Sequence, residues 1–131
     1  MKKLLLLLGL LPFIFASCKK EYIPVQDTAP QTILFNVPSD SWSSNDGGVT
    51  YYNSLDVPEI TSYFNQNGEV SVYISFGNGT FEQIPEVYDD MSLSFTHNVG
   101  DVTVYAQDLT HTGMPAPGNA TIKIVLTQAA P

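Results

Sequence analysis

Glu69-Val70-Ser71-Val72-Tyr73-Ile74-Ser75-Phe76 is the stretch that decides the fold class. Apolar Val70, Val72, Ile74 and Phe76 alternate with Ser71, Tyr73 and Ser75. Successive side chains of a strand point to opposite faces, so a period of two buries one face and leaves the other in water. A surface helix would instead need apolar residues three and four apart. The same alternation returns upstream in Ile33, Phe35 and Val37. Downstream it returns in Met91, Leu93 and Phe95, in Val102 and Val104, and in Ile122, Ile124 and Leu126. Shorter strands are expected from Val49 to Ser54 and from Thr80 to Ile84. Asn45-Asp46-Gly47-Gly48, Asn67-Gly68, Gly77-Asn78-Gly79 and Asn98-Val99-Gly100-Asp101 punctuate the runs with turn-forming residues. His111 to Gly118 holds Gly113, Pro115 and Pro117 and is expected to be a loop. The expectation is an all-β antiparallel β-sandwich of about seven strands, spanning residues 32–131.

One segment breaks the alternation. Val57, Ile60 and Phe64 fall on one helical face, with Asp56 as an N-cap, Pro58 in the first turn and Asn67-Gly68 at the end. A short helix is expected here, covering a sheet edge beside the outward Tyr73 and Tyr105.

The N-terminus carries an address. Met1-Lys2-Lys3 precedes an apolar run, Leu4 to Phe15, of 12 residues. That is short of the ~20 that cross a bilayer as a helix, and it suits a secretory signal peptide. Phe15-Ala16-Ser17-Cys18 ends the run and contains the chain's only Cys. It resembles a bacterial lipobox, which implies cleavage before Cys18 and lipidation of that residue. The expected organisation is a lipoprotein signal peptide at 1–17, a lipidated Cys18 with a tether at 18–31, and then the domain. Two acyl signals would hold the chain on a membrane without a transmembrane helix. Lys19 follows Cys18 where an inner-membrane retention signal would carry Asp, so an outer-membrane lipoprotein of the cell envelope is expected. Lys20-Glu21 partly resembles a surface-export signal, which adds possible display at the cell surface. Within the tether, Asp27-Thr28-Ala29 resembles the O-glycosylation motif of exported Bacteroidetes proteins and makes Thr28 a candidate acceptor.

Charge narrows the partners. Thirteen Asp and Glu stand against five Lys and no Arg, for a net charge of −8 over 131 residues. Without residues 1–17 the balance is three Lys against thirteen acids, or −10. Such a chain repels nucleic acid and anionic headgroups, so membrane contact is expected through the lipid anchor alone. A single Cys excludes both a disulfide framework and a Cys-based zinc site.

Several residues together resemble an uncharacterised family of small Bacteroidetes-type lipoproteins. They are Trp42, Val57-Pro58-Glu59-Ile60-Thr61, Asn67-Gly68-Glu69-Val70-Ser71-Val72-Tyr73, Ile84-Pro85, Asp101-Val102-Thr103-Val104 and Lys123-Ile124-Val125-Leu126. The resemblance spans most of the region from Trp42 to Leu126. It implies a β-rich exported domain and supplies no catalytic residues.

Candidate chemistry is sparse. The chain has no nucleophile elbow, metalloprotease helix or phosphate loop, and Lys123 is the one basic residue after Lys20. No enzyme activity and no cofactor is expected, although paired carboxylates acting on glycosides depend on a separation that sequence does not show. His97 and His111 fit no zinc spacing, and no metal is expected. Asp40, Asp46, Asp89, Asp90 and Asp101 sit in expected loops, where carboxylates either attract calcium or are simply solvated. Trp42, Tyr73 and Tyr105 are candidate ligand-binding residues, since aromatic rings in polar settings stack on sugars or on protein partners. The expected role is a structural or interaction-based one on a lipid anchor. The alternative is a carbohydrate- or peptide-binding surface module using those aromatics.

Overall fold

The computed structural model describes residues 29–129. The expected signal peptide at 1–17, Cys18 and Thr28 lie outside the described residues. Among the described residues no helix is long and apolar enough to cross a membrane.

Among the described residues, eight strands form two four-stranded antiparallel sheets. They are β1 (Gln31–Val37), β2 (Thr50–Asp56), β3 (Glu69–Ser75), β4 (Glu82–Ile84), β5 (Glu86–Tyr88), β6 (Met91–Asn98), β7 (Asp101–Asp108) and β8 (Ala120–Thr127). One sheet runs β1-β8-β3-β4 and the other β2-β7-β6-β5. The sequence's alternation is the cause. Val72, Ile74, Ile122, Ile124 and Leu126 of the first sheet face Leu55, Leu93, Val102, Val104 and Ala106 of the second, all buried in one core. Their alternate neighbours form the two outer faces, as two sandwiched sheets require. The all-β sandwich expected from the sequence is the fold.

The eighth strand comes from a division at Pro85. β4 belongs to the first sheet and β5 to the second, and only Pro85 separates them. Proline has no N–H for a ladder, so the chain leaves one sheet there and enters the other. β5 then turns into β6 through Asp89 and Asp90 alone, both with positive φ (52° and 62°). That is the two-residue hairpin geometry for which Asp is one of the tolerated residues.

The helix is shorter than its apolar spacing suggests. α1 covers Ser62–Asn67, and its N-cap is Thr61, whose side chain accepts from the Phe64 N–H at 3.1 Å. Asp56 is instead the last residue of β2, opposite Asp101. The backbone between them serves the β6–β7 turn. Val57 N–H donates to Gly100 O at 2.9 Å, and Gly100 N–H donates to Ile60 O at 2.8 Å. The Ile60 carbonyl is thus given to Gly100, and the Phe64 N–H that would reach it in a continuous helix bonds Thr61 Oγ1 instead, so the helix starts only after Thr61. Val57, Ile60 and Phe64 do point one way, but into the core at the end of the sandwich.

Candidate functional site

The three candidate aromatics do not share a surface. Trp42 follows the 3-10 turn Ser39–Ser41 and is 6% exposed, packed within the core cluster. Its indole Nε1 is buried with no hydrogen-bond partner. A ring enclosed to that degree offers no stacking platform. The reason lies next door. Ser43 exchanges two backbone bonds with Tyr52 (3.0 and 2.8 Å), and Asn53 Nδ2 donates to Ser41 O at 3.0 Å. These bonds lay the Ser41–Ser43 segment along β2 with Trp42 directed inward.

Tyr105 lies on the outer face of the second sheet, directly opposite Tyr52. Thr96 Oγ1 donates to its hydroxyl at 3.5 Å. Tyr73 lies on the outer face of the first sheet, across the sandwich from Tyr105. It belongs to a row of four paired residues: Leu34 on β1, Lys123 on β8, Tyr73 on β3 and Gln83 on β4.

This row is the most chemically distinctive part of the surface. The Lys123 ammonium sits 4.6 Å from the centre of the Tyr73 ring and 4.5 Å from that of Phe81. An ammonium against an aromatic face is attracted by the ring's negative face, by roughly 0.5–1 kcal/mol for an exposed pair. Leu34 stands at the other end of the row, 61% exposed. Two residues along the same strands, Asn36 and Thr121 enter the wall of a groove of about 440 Å³, completed by Val37, Pro38, Gly77, Asn119 and Ala120. The face therefore offers two rings, one cation, an exposed leucine and an amide- and hydroxyl-lined groove. Phe81 and Leu34 were not singled out in the sequence. Phe81 falls in the expected Thr80–Ile84 strand but lies just before β4, and Leu34 occupies the polar register of its strand.

The acids are used locally. Asp46 accepts from Ser44 Oγ at 2.9 Å and from Thr50 N–H at 2.8 Å. Asp101 accepts from Thr103 Oγ1 at 2.9 Å. Asp108 organises the loop after β7, accepting from Thr110 N–H and Oγ1, Thr112 N–H and Gly113 N–H. Among the described residues no three His, Cys, Asp or Glu side chains are placed to hold a metal ion together. His97 Nδ1 lies 2.8 Å from Asn65 Oδ1, linking the end of β6 to α1. His111 sits in a turn with φ 57°.

Glu82 and Glu86 are neighbouring carboxylates. Glu86 is held above the usual carboxylate range, first by burial and then by the neighbouring Glu82 carboxylate. Its Oε1 is buried without a partner. Two further grooves, of about 230 and 110 Å³, flank Glu59 and Phe64. Neither these nor the 440 Å³ groove has Glu82 or Glu86 in its wall.

These shifts give opposite pH dependences. The hydrogen bonds from Thr110 and from Thr50 hold Asp108 and Asp46 below the carboxylate reference of 3.8. Their stabilisation is present above that value and is lost as pH falls through the lower, folded one. Glu86 is raised above its reference of 4.5, so its contribution is present below 4.5 and is lost as pH rises through the folded value. Asp108→Asn should therefore lower the melting temperature at pH 7 by several degrees, with the deficit shrinking below pH 3.8. Glu86→Gln should raise it at pH 7 and change it little at pH 4. Melting curves of both variants at pH 3, 4 and 7 check these signs.

Comparison with family models, curated proteins and solved structures gave no match. The functional reading accordingly rests on the residues themselves.

Proposed function

We propose that this protein is a non-enzymatic interaction module, held on the outer membrane by lipid at Cys18 and carried on a short tether. The observation that carries the interaction role is the row Leu34–Lys123–Tyr73, with Phe81 closing over Lys123. A leucine that is 61% exposed beside a cation held by two rings makes a row suited to contact. The lipobox resemblance at Phe15-Ala16-Ser17-Cys18 supports the anchor, and the family resemblance supports an exported β-domain.

A glycan-binding variant of this reading is favoured by one feature. The groove beside the row is lined by Asn36, Asn119 and Thr121, amide and hydroxyl groups of the kind that pair with sugar hydroxyls. With Trp42 inside the core, any stacking on this face falls to Tyr73 and Phe81.

Two measurements test the reading together. Cys18→Ser should release the protein from the membrane fraction, and unchanged retention would refute the anchor. On a glycan array or cell-wall pull-down, Tyr73→Ala should weaken binding about tenfold, the value of one stacking contact, while Tyr105→Ala leaves it unchanged. Equal losses for both variants would remove the first sheet's outer face as the site.

A further inference from the structure

We infer that β1 pairs edge-to-edge with β1 of a second copy, joining two first sheets into one continuous eight-stranded sheet. Exposed strand edges carry unpaired N–H and C=O groups, and proteins protect them with short strands, charges, prolines or covering segments. Three of the four edges here are protected. β4 and β5 are three residues each and carry Glu82 and Glu86. β2 has Ser43 bonded across its middle and ends in Asp56. β1 has none of these devices. It runs seven residues, Gln31-Thr32-Ile33-Leu34-Phe35-Asn36-Val37, in unbroken register with β8, and has neither charge nor proline. No backbone group of β1 bonds outside its ladder with β8 among the described residues.

The composition of this edge selects a second copy as the occupant. The domain is strongly acidic, so two copies meet at low cost only where acids are absent, and β1 is an edge strand without one. The sequence is also self-complementary under a two-fold axis. With Leu34 on the axis, Leu34 faces Leu34 of the second copy on the outer side. Ile33 then faces Phe35 of the second copy on the inner side, and Thr32 faces Asn36. The new strand pair is thereby apolar at its centre on both sides; Thr32 and Asn36 flank the outer side, and Gln31 meets Val37 at the ends of the inner side. Ile33 and Phe35 are only partly buried in the single copy, and pairing would complete their burial. Lys123, next to Leu34 on β8, could have guarded the edge. Its ammonium is instead drawn towards β3 by Tyr73 and Phe81, away from β1.

Site-directed cross-linking of the full chain in detergent tests this, with the wild type as the blank for Cys18. Leu34→Cys should form a covalent dimer on mild oxidation, since directly paired side chains lie roughly 4.5–5.5 Å apart at Cβ. Val87→Cys, 66% exposed on the protected β5 edge, should yield at least fivefold less. Leu34→Lys should weaken self-association at least tenfold in sedimentation, with an unchanged circular-dichroism spectrum. Thr32→Lys provides a second edge charge should the first variant misfold. A wild type that stays monomeric at ~1 mM, or equal cross-linking at Leu34 and Val87, would overturn the proposal. Stronger cross-linking through Asn36→Cys than through Leu34→Cys would overturn the two-fold register. An extended peptide that binds the β1 edge of a monomer would also overturn it.

Discussion

Ile124→Ala is expected to lower the free energy of unfolding by about 3–4 kcal/mol, within the range for truncating a buried isoleucine. Ile124 is fully buried on β8, the strand that ties the first sheet together. It pairs with Ile33 on β1 and with Val72 on β3, so three apolar side chains cross the sheet at that level. Truncation removes methyl groups from the middle of that row. β8 has a strand on each side, so it has little room to move and fill the gap. A domain of this size has only ~5–15 kcal/mol of net stability, so the loss is a large share of it. The neighbouring Lys123→Ala is the informative control. Lys123 lies on the opposite face of the same strand, and its loss forfeits only two half-exposed ring contacts, about 1 kcal/mol. Urea denaturation of the two variants should therefore differ by at least about 2 kcal/mol. Equal costs would mean that the β8 register is inverted.

That contrast also marks what the sequence could say. Alternation along β3, β6, β7 and β8 named the inward set correctly, because a half-buried strand has no other way to arrange its side chains. Periodicity failed where segments were too short to show one. β5 is three residues long and follows Pro85, so the expected strand stops at Ile84 and Glu86–Tyr88 goes unread. It also failed where tertiary bonds competed with local preference. Asp56 and Pro58 look like a helix start, yet Gly100 takes the Ile60 carbonyl that a helix continuing into Phe64 would need. The candidate site was legible in part. Tyr73 was marked by its polar register, but its association with Phe81 depends on a loop whose path no local rule gives. Trp42 stands among serines in sequence and among apolar side chains in space, because a bridge to Tyr52 turns it inward. Asp108 had a signal that was readable. Asp108, Thr110, Thr112 and Gly113 form the spacing of a carboxylate that collects local N–H and O–H donors.

Gly48→Ala is expected to cost about 3 kcal/mol, for two separable reasons. Gly48 has φ 85°, and a side chain in the left-handed region costs roughly 1–2 kcal/mol. An added Cβ would also stand 2.7 Å from Met114 O and 3.1 Å from the Tyr51 hydroxyl. Neither neighbour is free to retreat. Met114 N–H donates to Gly48 O at 3.0 Å, and the Tyr51 hydroxyl donates to Met114 O at 3.0 Å. Gly48 N–H in turn donates to Ser44 Oγ at 3.0 Å. The turn before β2 and the loop before β8 are thus clasped at one point, and overpacking such a contact costs typically ~1–3 kcal/mol. Gly47→Ala separates the two causes. Gly47 has φ 71°, but its Cβ would meet nothing within 4 Å, so only the conformational cost applies. The difference between the two alanine variants in chemical denaturation measures the clasp itself. If Gly48→Ala costs no more than Gly47→Ala, the loop from His111 to Gly118 does not rest on the β2 turn.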